Sequence, residues 1–549
     1  MQGSSSTSEF WVLGPPGTGK TTRASHYIRK AAEKHGSNRL LVASFTRAAA
    51  AELVGRDLPI ERDRVGTLHS HCFRALGHPD IAEAHISEWN ESHADYSIGG
   101  GNRKADLDDP SGGSDGDEAA AGGGKADDLF KRAQLLRARM VPREHWPQSV
   151  AAFDKEWSAW KDECGFLDFT DLIERGITDI DGAPGGAEIG FFDEAQDFTA
   201  LELALARKWC GRMERYMFIG DDDQTIYAFK GADPRVFIGD DLPDTHVEVL
   251  KQSYRIPASV HRVAQRITDA LSFRKAKVYH PREEEGRVAL SSATWKAPAR
   301  LLEVIERRIA DGQTVMILAQ CKFLLKNITT VLRESAVPFW NPYKRNHGGW
   351  NPLQFGGDKK QTAIDRIFAF LAIDPEVNPS ASAGWTWGHV QSWTKHVAAK
   401  DVLVAGAKVE LAKKDPNAYA DVWTLAEFFD AAALERALSC DLEWFRSVLL
   451  GTKTSGYEFP LDIIAKRGKN AVRENPKVCI GTIHSVKGGE ADTVILFPDV
   501  SLAAAKEWGT TDGRDSLHRL FYVGATRARH ELIVCSPGHK WSFPLGRYL

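Results

Sequence analysis

The stretch Phe10-Trp-Val-Leu-Gly14-Pro-Pro-Gly-Thr-Gly-Lys20-Thr21 decides the fold of this 549-residue chain. Its four apolar residues predict a short buried strand, the Gly- and Pro-rich segment predicts a loop, and a helix is expected from about Thr21. Two glycines that flank four residues and precede Lys and Thr form the phosphate-loop pattern, which requires this strand–loop–helix context. The alternative is an ordinary Gly-rich turn, but the context favours an α/β nucleotide-binding unit.

The residue types in this loop predict how it would hold a triphosphate. Backbone N–H groups at the N-terminus of the following helix would point at the phosphates. The Lys20 ammonium would supply positive charge to the outer phosphates, and the Thr21 hydroxyl can reach Mg²⁺. The predicted nucleotide contacts here are Gly14, Pro15, Pro16, Gly17, Thr18, Gly19, Lys20, Thr21, Thr22 and Arg23.

A second chemical motif follows the apolar stretch Ile189-Gly-Phe-Phe192. The stretch ends in Asp193-Glu194-Ala-Gln-Asp197, which places carboxylates at the carboxyl edge of a sheet, where ligands of open α/β folds bind. Asp193 is suited to hold Mg²⁺ and Glu194 to orient or deprotonate the attacking water, because phosphoryl transfer depends on positioning and charge neutralisation. An acidic strand end alone is more often a helix cap or a solvated turn. Together with the phosphate loop it predicts a site for nucleotide hydrolysis.

Further strings occur along nearly the whole chain. They are Ser44-Phe45-Thr46-Arg47, Val65-Gly-Thr67-Leu-His69-Ser70, Phe218-Ile-Gly-Asp-Asp-Asp-Gln224-Thr-Ile-Tyr227-Ala-Phe229-Lys-Gly-Ala232, Leu250-Lys-Gln-Ser-Tyr254-Arg255, Gly481-Thr482-Ile-His484-Ser-Val-Lys487-Gly-Gly-Glu490 and Arg519-Leu-Phe-Tyr522-Val-Gly-Ala-Thr526-Arg527. In content and order these strings resemble the motifs of the UvrD/Rep/PcrA group of superfamily 1 DNA helicases. The string from Phe218 to Ala232 is the most specific of them.

The resemblance implies ATP and Mg²⁺ as cofactors and assigns roles to single residues. Gln224, Arg255 and Arg527 would surround the γ-phosphate, Tyr254 would stack on adenine, and Glu490 would meet the ribose. Arg255 and Arg527 would enter from a second domain as arginine fingers when a cleft closes on ATP. The implied catalytic residues are Lys20, Asp193, Glu194, Gln224, Arg255 and Arg527, and the implied Mg²⁺ ligands are Thr21 and Asp193.

Single-stranded DNA is bound without sequence preference by aromatic faces for the bases and by polar or basic groups for the backbone. The resemblance implies Phe45, Tyr227 and Phe229 as stacking platforms, with Phe229 where tryptophan is common in the group. The implied backbone contacts are Thr46, Arg47, Thr67, His69, Thr482 and His484. The alternative is that the aromatics are core residues, and for Phe45 both interpretations are equally open.

The fold class expected is α/β, with two RecA-like P-loop NTPase domains that each carry an inserted, mainly helical subdomain. The expected ranges are 1–74 with 166–235 for the first domain, 75–165 for its insertion, 236–375 with 475–549 for the second domain, and 376–474 for its insertion. A second α/β unit is predicted to begin near Val247. Residues 98 to 125, rich in Gly, Asp, Ala and Ser, predict a mobile loop. Trp385, Trp387, Trp393, Trp423 and Trp444 are expected as packing anchors of the second insertion.

Composition limits the class of protein. With 43% hydrophobic and 26% charged residues the chain is expected to be a soluble multidomain protein. No apolar stretch of bilayer length occurs in it, and no export signal is visible. A cytoplasmic location is therefore expected. The seven scattered cysteines predict buried, reduced thiols and neither a disulfide framework nor a zinc site. The net charge of −4 means that any DNA contact must come from a local groove.

These observations predict an ATP-dependent helicase or translocase that moves 3′→5′ on single-stranded DNA. Its expected partners are single-stranded and tailed duplex DNA, a protein loading partner is possible, and no membrane is involved. The chain ends soon after Arg527, so no nuclease domain is expected after it. Three alternatives stay open: a translocase that separates duplex poorly, an NTPase subunit of a repair or defence complex, and a nucleotide-gated clamp that binds DNA without stepping.

Overall fold

The computed structural model describes residues 9–56, 58–99, 124–239, 243–344, 348–356, 360–379 and 384–549. The strands are β1 Glu9–Leu13, β2 Leu40–Ser44, β3 Val65–Gly66, β4 Ile189–Asp193, β5 Arg215–Gly220, β6 Val247–Val249, β7 Arg287–Ser291, β8 Val315–Ala319, β9 Phe339–Trp340, β10 Val478–Thr482, β11 Ala491–Leu496 and β12 Ala528–Cys535. They form two sheets, so the α/β prediction is confirmed.

The helices follow the strands along the chain. They are α1 Lys20–His35, α2 Arg47–Val54, α3 Leu68–Ala75, α4 Ile86–Ser92, α5 Lys125–Ala138, α6 Gln148–Cys164, α7 Phe169–Asp179, α8 Ala200–Cys210, α9 Pro234–Ile238, α10 Ala258–Asp269, α11 Leu302–Ala310, α12 Lys326–Glu334, α13 Ala363–Phe370, α14 Trp387–Thr394, α15 Ala407–Leu411, α16 Val422–Ala426, α17 Ala431–Leu438, α18 Leu442–Ser447, α19 Glu458–Arg467, α20 Leu502–Glu507 and α21 Thr511–Ala525. None of these described helices has the length and apolar character needed to cross a bilayer.

The chain divides into two compact units. The first comprises Met1–Thr294, Leu318–Leu324 and Thr482–Leu549, and the second comprises Trp295–Ile317 and Leu325–Gly481. The finer division into two domains with two insertions stays a prediction.

The first sheet has the strand order β3-β2-β4-β5-β1-β6, and its pairs are parallel. Alternate residues of its central strands enter different cores: Leu41 and Phe192 pack into one, and Val42 and Phe191 into the other. Both faces of the sheet are therefore covered, which explains why these strands are continuous apolar runs. Their carboxyl ends place the phosphate loop and Asp193 at one edge of the sheet.

The second sheet has the order β7-β12-β11-β8-β10-β9, with parallel pairing of β7 with β12, β11 with β12 and β9 with β10. The prediction that the second α/β unit begins near Val247 is wrong. The strand Val247–Val249 pairs with Trp11 to Leu13 and forms the edge of the first sheet. A three-residue strand carries too little sequence pattern to tell which sheet it joins.

The segment between α3 and α7, which was predicted to be the first insertion, has its own hydrophobic core, built around Trp89, Phe153 and Trp157. The chain leaves and rejoins the first sheet's domain at neighbouring points. The Leu167 N–H donates to the Asp80 carbonyl at 3.0 Å, and the Ala82 N–H donates to the Leu167 carbonyl at 2.9 Å. The predicted loop at 98 to 125 mostly lies outside the described residues, but its ends are corrected: Ile98 is buried in this core and Lys125 begins α5.

A buried ion cluster fixes the base of this insertion. Asp168, the N-cap of α7, accepts hydrogen bonds from Arg137 on α5 at 2.8 Å and from Lys161 on α6 at 2.6 Å. Burial alone would raise the pKa of Asp168, but the charges of Arg137 and Lys161 hold it well below its usual range. Asp168 is therefore a buried anion. The nearby Glu83 carboxylate accepts the Phe169 N–H at 3.3 Å.

Glu83 leads to a stability prediction. Burial, and next the negative charge of Asp168, raise the pKa of Glu83 to about 8. The folded protein therefore keeps a proton that the unfolded chain releases above pH ~4.5. Unfolding releases this proton between pH ~4.5 and ~8, so the insertion should lose about 1.4 kcal/mol of stability per pH unit in that window. Glu83→Gln, which keeps an acceptor oxygen, should remove this slope and stabilise the segment at pH 8.

Hydrogen exchange of α6 and α7 peptides in urea at pH 5.5 and pH 8 measures the effect. Glu91→Gln, at an exposed position, is the matched control and should leave the slope unchanged. If Glu83→Gln destabilised α7 equally at both pH values, the assignment of a protonated Glu83 would be wrong.

The second unit is mainly helical between residues 384 and 474, as predicted. Trp385, Trp387 and Trp393 are buried as expected, whereas Trp444 is half-buried. The prediction is wrong for Trp423, which is 86% exposed. Its short helix buries only Leu425, which lies on the opposite face.

None of the seven cysteines, all of which lie in the described ranges, forms a disulfide bond, as expected. Cys72, Cys210, Cys321, Cys479 and Cys535 are buried. Cys440 is half-buried, and Cys164 at the end of α6 is exposed, which corrects the prediction that the thiols are buried throughout.

Candidate active site

The phosphate loop lies between β1 and α1 and is held by its own polar groups. The Gly14 N–H donates to the Gly220 carbonyl at 3.0 Å, which ties the start of the loop to β5. The Thr18 hydroxyl donates to the Pro15 carbonyl at 2.7 Å, and the Lys20 ammonium donates to the Gly14 carbonyl at 2.8 Å. Because Gly19 has no side chain, it cannot cap α1, and the first N–H groups of the helix face the loop.

Two glycines are required by the loop backbone. Gly17 and Gly19 have φ values of +73° and +81°, a region that favours glycine. A Cβ at Gly17 would lie 2.4 Å from the Arg255 Cβ. The segment 253–255 is bonded to the loop as well: the Ser253 hydroxyl donates to Pro16 at 2.8 Å, and the Tyr254 N–H donates to Gly17 at 2.8 Å.

The carboxylates follow β4 as predicted. Asp193 is buried at the end of the strand, and Glu194 has a left-handed backbone with φ of +52°, which costs free energy for a residue other than glycine. The Gln196 side chain fixes Glu194 by donating to its carboxylate at 2.6 Å. Gln196 is fixed in turn because its amide oxygen accepts the Asp221 N–H at 3.1 Å.

Charges from distant parts of the chain meet at Glu194. Burial would raise the pKa of Glu194, but the charges of Lys20 and Lys487, the hydrogen bond from Gln196 and the charge of Arg527 together lower it. Glu194 is therefore ionised near neutral pH, as an acceptor for a water proton must be. Burial raises the pKa of its neighbour Asp197 to about 6, against the opposing charge of Lys487.

Lys487 lies beside both the acidic residues that follow β4 and the aromatic ring of Tyr227. Its ammonium is bonded to Asp197, donates to the Gln224 carbonyl at 2.9 Å and lies 3.9 Å from Glu194. It also lies 5.3 Å from the centroid of the Tyr227 ring. The sequence analysis quoted this lysine within a motif but gave it no role. The sequence signal that could have identified Lys487 is its position among small and apolar residues, because a lysine in such surroundings usually has a buried partner.

Of the arginines, Arg527 is buried and Arg255 is half-buried. Arg527 donates to the Gln224 amide oxygen at 3.4 Å and to the Gly489 carbonyl at 3.2 Å. Arg255 donates to Glu490 at 2.7 Å, and Arg529 lies 3.3 Å from the same carboxylate. Burial would raise the pKa of Glu490, but the Arg255 hydrogen bond and these charges lower it.

The predicted nucleoside contacts lie around the loop. Tyr254 is 74% exposed, so its ring face is open for stacking. Thr22 accepts a hydrogen bond from Arg56 at 3.0 Å, and Arg23 forms an ion pair with Glu248 at 2.7 Å. Two cationic side chains therefore flank the start of α1.

The oxygen donors fit Mg²⁺. Thr21 and Asp193 supply a hydroxyl and a carboxylate, and Mg²⁺ bound with a nucleotide takes few protein ligands and completes its shell with phosphate and water. Across the described ranges no three His, Cys, Asp or Glu side chains cluster as in an all-protein metal cage.

An aromatic cluster, defined as Phe45, Tyr227, Phe229 and His484, brings together four of the residues predicted to bind DNA. The ring centroids of Phe45 and Tyr227 are 5.0 Å apart, and those of Phe229 and His484 are 5.3 Å apart. Phe229 is 39% exposed, and Phe45 is half-buried against the first core. The Lys230 ammonium, which sequence reasoning missed, lies 5.1 Å from the Tyr227 centroid.

Comparison with known proteins agrees with this geometry. Residues 2–230 match the family model described as an AAA domain, and residues 477–535 match the one described as a UvrD-like helicase C-terminal domain. The chain is 26% identical over 303 residues to the ATP-dependent DNA helicase UvrD2 of Mycobacterium tuberculosis, covering 48% of this chain and 42% of that protein. The chain belongs to the UvrD-like helicases of superfamily 1. Its two parallel sheets fit the two RecA-like domains of that family.

Two other ATP-dependent DNA helicases are also similar to parts of the chain. The chain is 26% identical over 300 residues to the ATP-dependent DNA helicase UvrD1 of Mycobacterium tuberculosis, covering 49% of this chain and 38% of that protein. It is 31% identical over 129 residues to the ATP-dependent DNA helicase PcrA of Bacillus subtilis, covering 22% and 18%. The chain spans less than half the length of these relatives.

The other residues that the UvrD-like motifs implicate in DNA binding make local contacts in the fold. Thr67 and Thr482 are buried, and each accepts a backbone N–H, from Ser70 at 3.1 Å and from Ser485 at 3.2 Å. Thr46 caps α2 by accepting the Ala49 N–H at 3.2 Å. His69 faces Glu202 at 3.5 Å. The Arg47 side chain lies outside the described part of the chain. Their predicted DNA contacts stay predictions.

Proposed function

We propose that this chain is an ATP-driven motor that moves along single-stranded DNA and separates strands with 3′→5′ polarity. The observation that carries the proposal is Lys487. It contacts Asp197 beside the catalytic carboxylate Glu194, and it also contacts the Tyr227 ring of the aromatic cluster. A single side chain therefore connects a hydrolysis site with a surface of the kind that stacks on bases.

The residues support a hydrolytic step at the phosphate loop. Glu194, ionised and held by Gln196, would orient the attacking water and accept its proton. Lys20 and Arg527 would neutralise charge on the γ-phosphate, and Gln224 would position Arg527 or the water. A Mg²⁺ ion held by Thr21 and Asp193 would polarise the phosphate oxygens.

Movement would come from coupling this chemistry to the aromatic cluster. A base stacked on Tyr227 or Phe229 would move or immobilise the Lys487 ammonium. This would change the electrostatic potential that Asp197 and Glu194 experience. Binding of DNA would thus alter hydrolysis, and hydrolysis would alter the grip on DNA, because coupling between two sites is reciprocal.

The decisive experiment is an ATPase assay with and without single-stranded DNA, combined with duplex unwinding on the same sample. The proposal expects turnover that DNA stimulates and strand separation. Turnover without unwinding would favour a translocase, or a subunit that needs its complex. Strong DNA binding with little turnover would indicate a nucleotide-gated clamp.

Polarity is a separate prediction. Duplexes with a 3′ single-stranded tail should be unwound faster than duplexes with a 5′ tail or blunt ends. Phe229→Ala should lower unwinding per ATP consumed, because one stacked base contributes about 1–3 kcal/mol of binding. Strand separation and phosphate release are measured together.

Phe355→Ala, at a phenylalanine that is 41% exposed in the other unit, is the matched control and should unwind like the parent. A preference for the 5′ tail would overturn the polarity, and normal coupling in Phe229→Ala would remove Phe229 from the DNA track. Tailed duplex as a partner, a loading protein and a cytoplasmic location stay predictions.

A further inference from the structure

Three consecutive aspartates after β5 form a buried acidic segment. Asp221, Asp222 and Asp223 are at most 1% exposed, and the Lys277 side chain, itself 1% exposed, lies against all of them. The Lys277 ammonium is 3.1 Å from Asp221, 3.1 Å from Asp223 and bonded to Asp222. Arg274 binds Asp223 with two hydrogen bonds of 3.0 and 2.6 Å. Buried carboxylates require such partners, because an unpaired buried charge is costly.

The two carboxylate oxygens of Asp221 have different hydrogen-bond partners. Oδ1 faces the Lys277 ammonium and accepts the Asp223 N–H at 3.3 Å. Oδ2 accepts a hydrogen bond from the Gln224 side-chain nitrogen at 2.7 Å. A primary amide has one donor end and one acceptor end. Since a carboxylate only accepts, Asp221 forces Gln224 to turn its nitrogen inward and its oxygen outward.

The outward oxygen of Gln224 receives the Arg527 guanidinium at 3.4 Å. A chain of contacts therefore runs from Lys277 through Asp221 and Gln224 to Arg527. Arg527 is one of the cations that lower the pKa of Glu194, so this chain ends at the hydrolysis site. If the amide turned over, two N–H groups would face each other at Arg527 and the guanidinium would shift.

We propose that Lys277 is a positioning residue for nucleotide hydrolysis, which through Asp221 sets the amide orientation of Gln224 and thereby the place of Arg527. This inference rests on the proposed function, because it assigns Lys277 to the same hydrolysis site. Lys277 contacts neither the phosphate loop nor Glu194 in the described structure. Among its three aspartate partners it is Asp221 whose carboxylate accepts the Gln224 side chain, so we assign the effect of Lys277 to Asp221. Arg274 belongs to the same ion cluster but bonds the Asp223 carboxylate, whereas the Gln224 side-chain nitrogen donates to the Asp221 carboxylate.

Asp221→Asn is the main test because it keeps the size of the side chain. The two donors at Oδ1 would hold the asparagine oxygen there, so its NH₂ would face Gln224 and turn that amide over. We expect the kcat for ATP with single-stranded DNA to fall about 10- to 100-fold while KM for ATP changes little. Lys277→Met should have the same direction of effect, and Arg274→Met, the matched control, should keep the parent kcat.

A double-mutant cycle with Arg527→Ala separates positioning from a merely structural role. Single-turnover phosphate release should show no further loss when Asp221→Asn is added to Arg527→Ala, because both changes act through one group. Thermal unfolding verifies that each variant is folded. If Lys277→Met does not fold, Asp221→Asn alone provides the test.

The inference is overturned if Asp221→Asn keeps the parent kcat, if Arg274→Met loses as much activity, or if the losses from Asp221→Asn and Arg527→Ala simply add. A parent protein whose ATP turnover ignores DNA would instead contradict the proposed motor. Failure of the inference, with a parent that DNA stimulates, would leave the motor standing.

Discussion

Glu194→Gln should bind ATP as tightly as the parent and hydrolyse it about 10²- to 10⁴-fold more slowly. The amide keeps the size of the side chain and can still accept the hydrogen bond from Gln196. It cannot take a proton from the attacking water, and it removes the negative charge that Lys20 and Lys487 surround. Binding is measured with a fluorescent ATP analogue, and hydrolysis by phosphate release with saturating single-stranded DNA.

Lys20→Ala is the companion variant, because it should lose turnover through the phosphates rather than through the water. It should therefore weaken nucleotide binding as well as hydrolysis. Glu214→Gln, at an exposed glutamate beyond the other end of the sheet, is the matched control and should behave like the parent. Hydrolysis by Glu194→Gln at nearly the parent rate would show that the acid pair has been assigned wrongly.

Arg527→Ala should lower the DNA-stimulated ATPase rate by about 10³- to 10⁵-fold, as expected when an arginine finger is lost. Arg527 is buried and contacts Gln224 and Gly489, so its guanidinium has one defined place beside Glu194. Steady-state phosphate release with and without single-stranded DNA gives the rate.

Arg529→Ala provides the control two residues away, because Arg529 is more exposed and pairs with Glu490. Its ATPase rate should stay within a few-fold of the parent, since exposed ion pairs contribute about 0–1 kcal/mol. The ATPase rate of Arg255→Ala should lie between those of Arg527→Ala and Arg529→Ala, because Arg255 packs on Gly17 and also binds Glu490. Equal rates for Arg527→Ala and the parent would remove the arginine finger from the mechanism.

The strands around the site were predictable from the sequence because they are apolar on both faces. β1 and β4 both begin and end within one residue of the apolar stretches that predicted them. The phosphate loop and the acidic residues after β4 were predictable because each of these structures requires particular residue types at a fixed spacing. β6 was assigned to the wrong sheet because strand pairing is a long-range property that three residues do not encode.

The parts of the site that sequence reasoning missed are the charges that act through other residues. Lys487, Lys277 and Asp197 carry no distinctive spacing of their own, and their roles depend on which distant groups the fold places beside them. For Thr67 and Thr482 the DNA contacts stay predictions. Their motifs suggested DNA contacts, but a threonine before a helical turn is equally suited to cap it, and both are buried in that role.

The paired ends of the first insertion have a consequence for how this protein could have changed over time. Asp80, Ala82 and Leu167 hold the outgoing and returning chains at hydrogen-bond distance, so a short turn could join them without moving the sheet. The entropy of closing a loop there depends only weakly on its length. The segment beyond these residues can therefore change in length, provided that partners such as Arg137 and Lys161 remain for the buried Asp168. A change in gene length at this one place would then alter the segment between α3 and α7 and leave the sheet that carries the phosphate loop as it is.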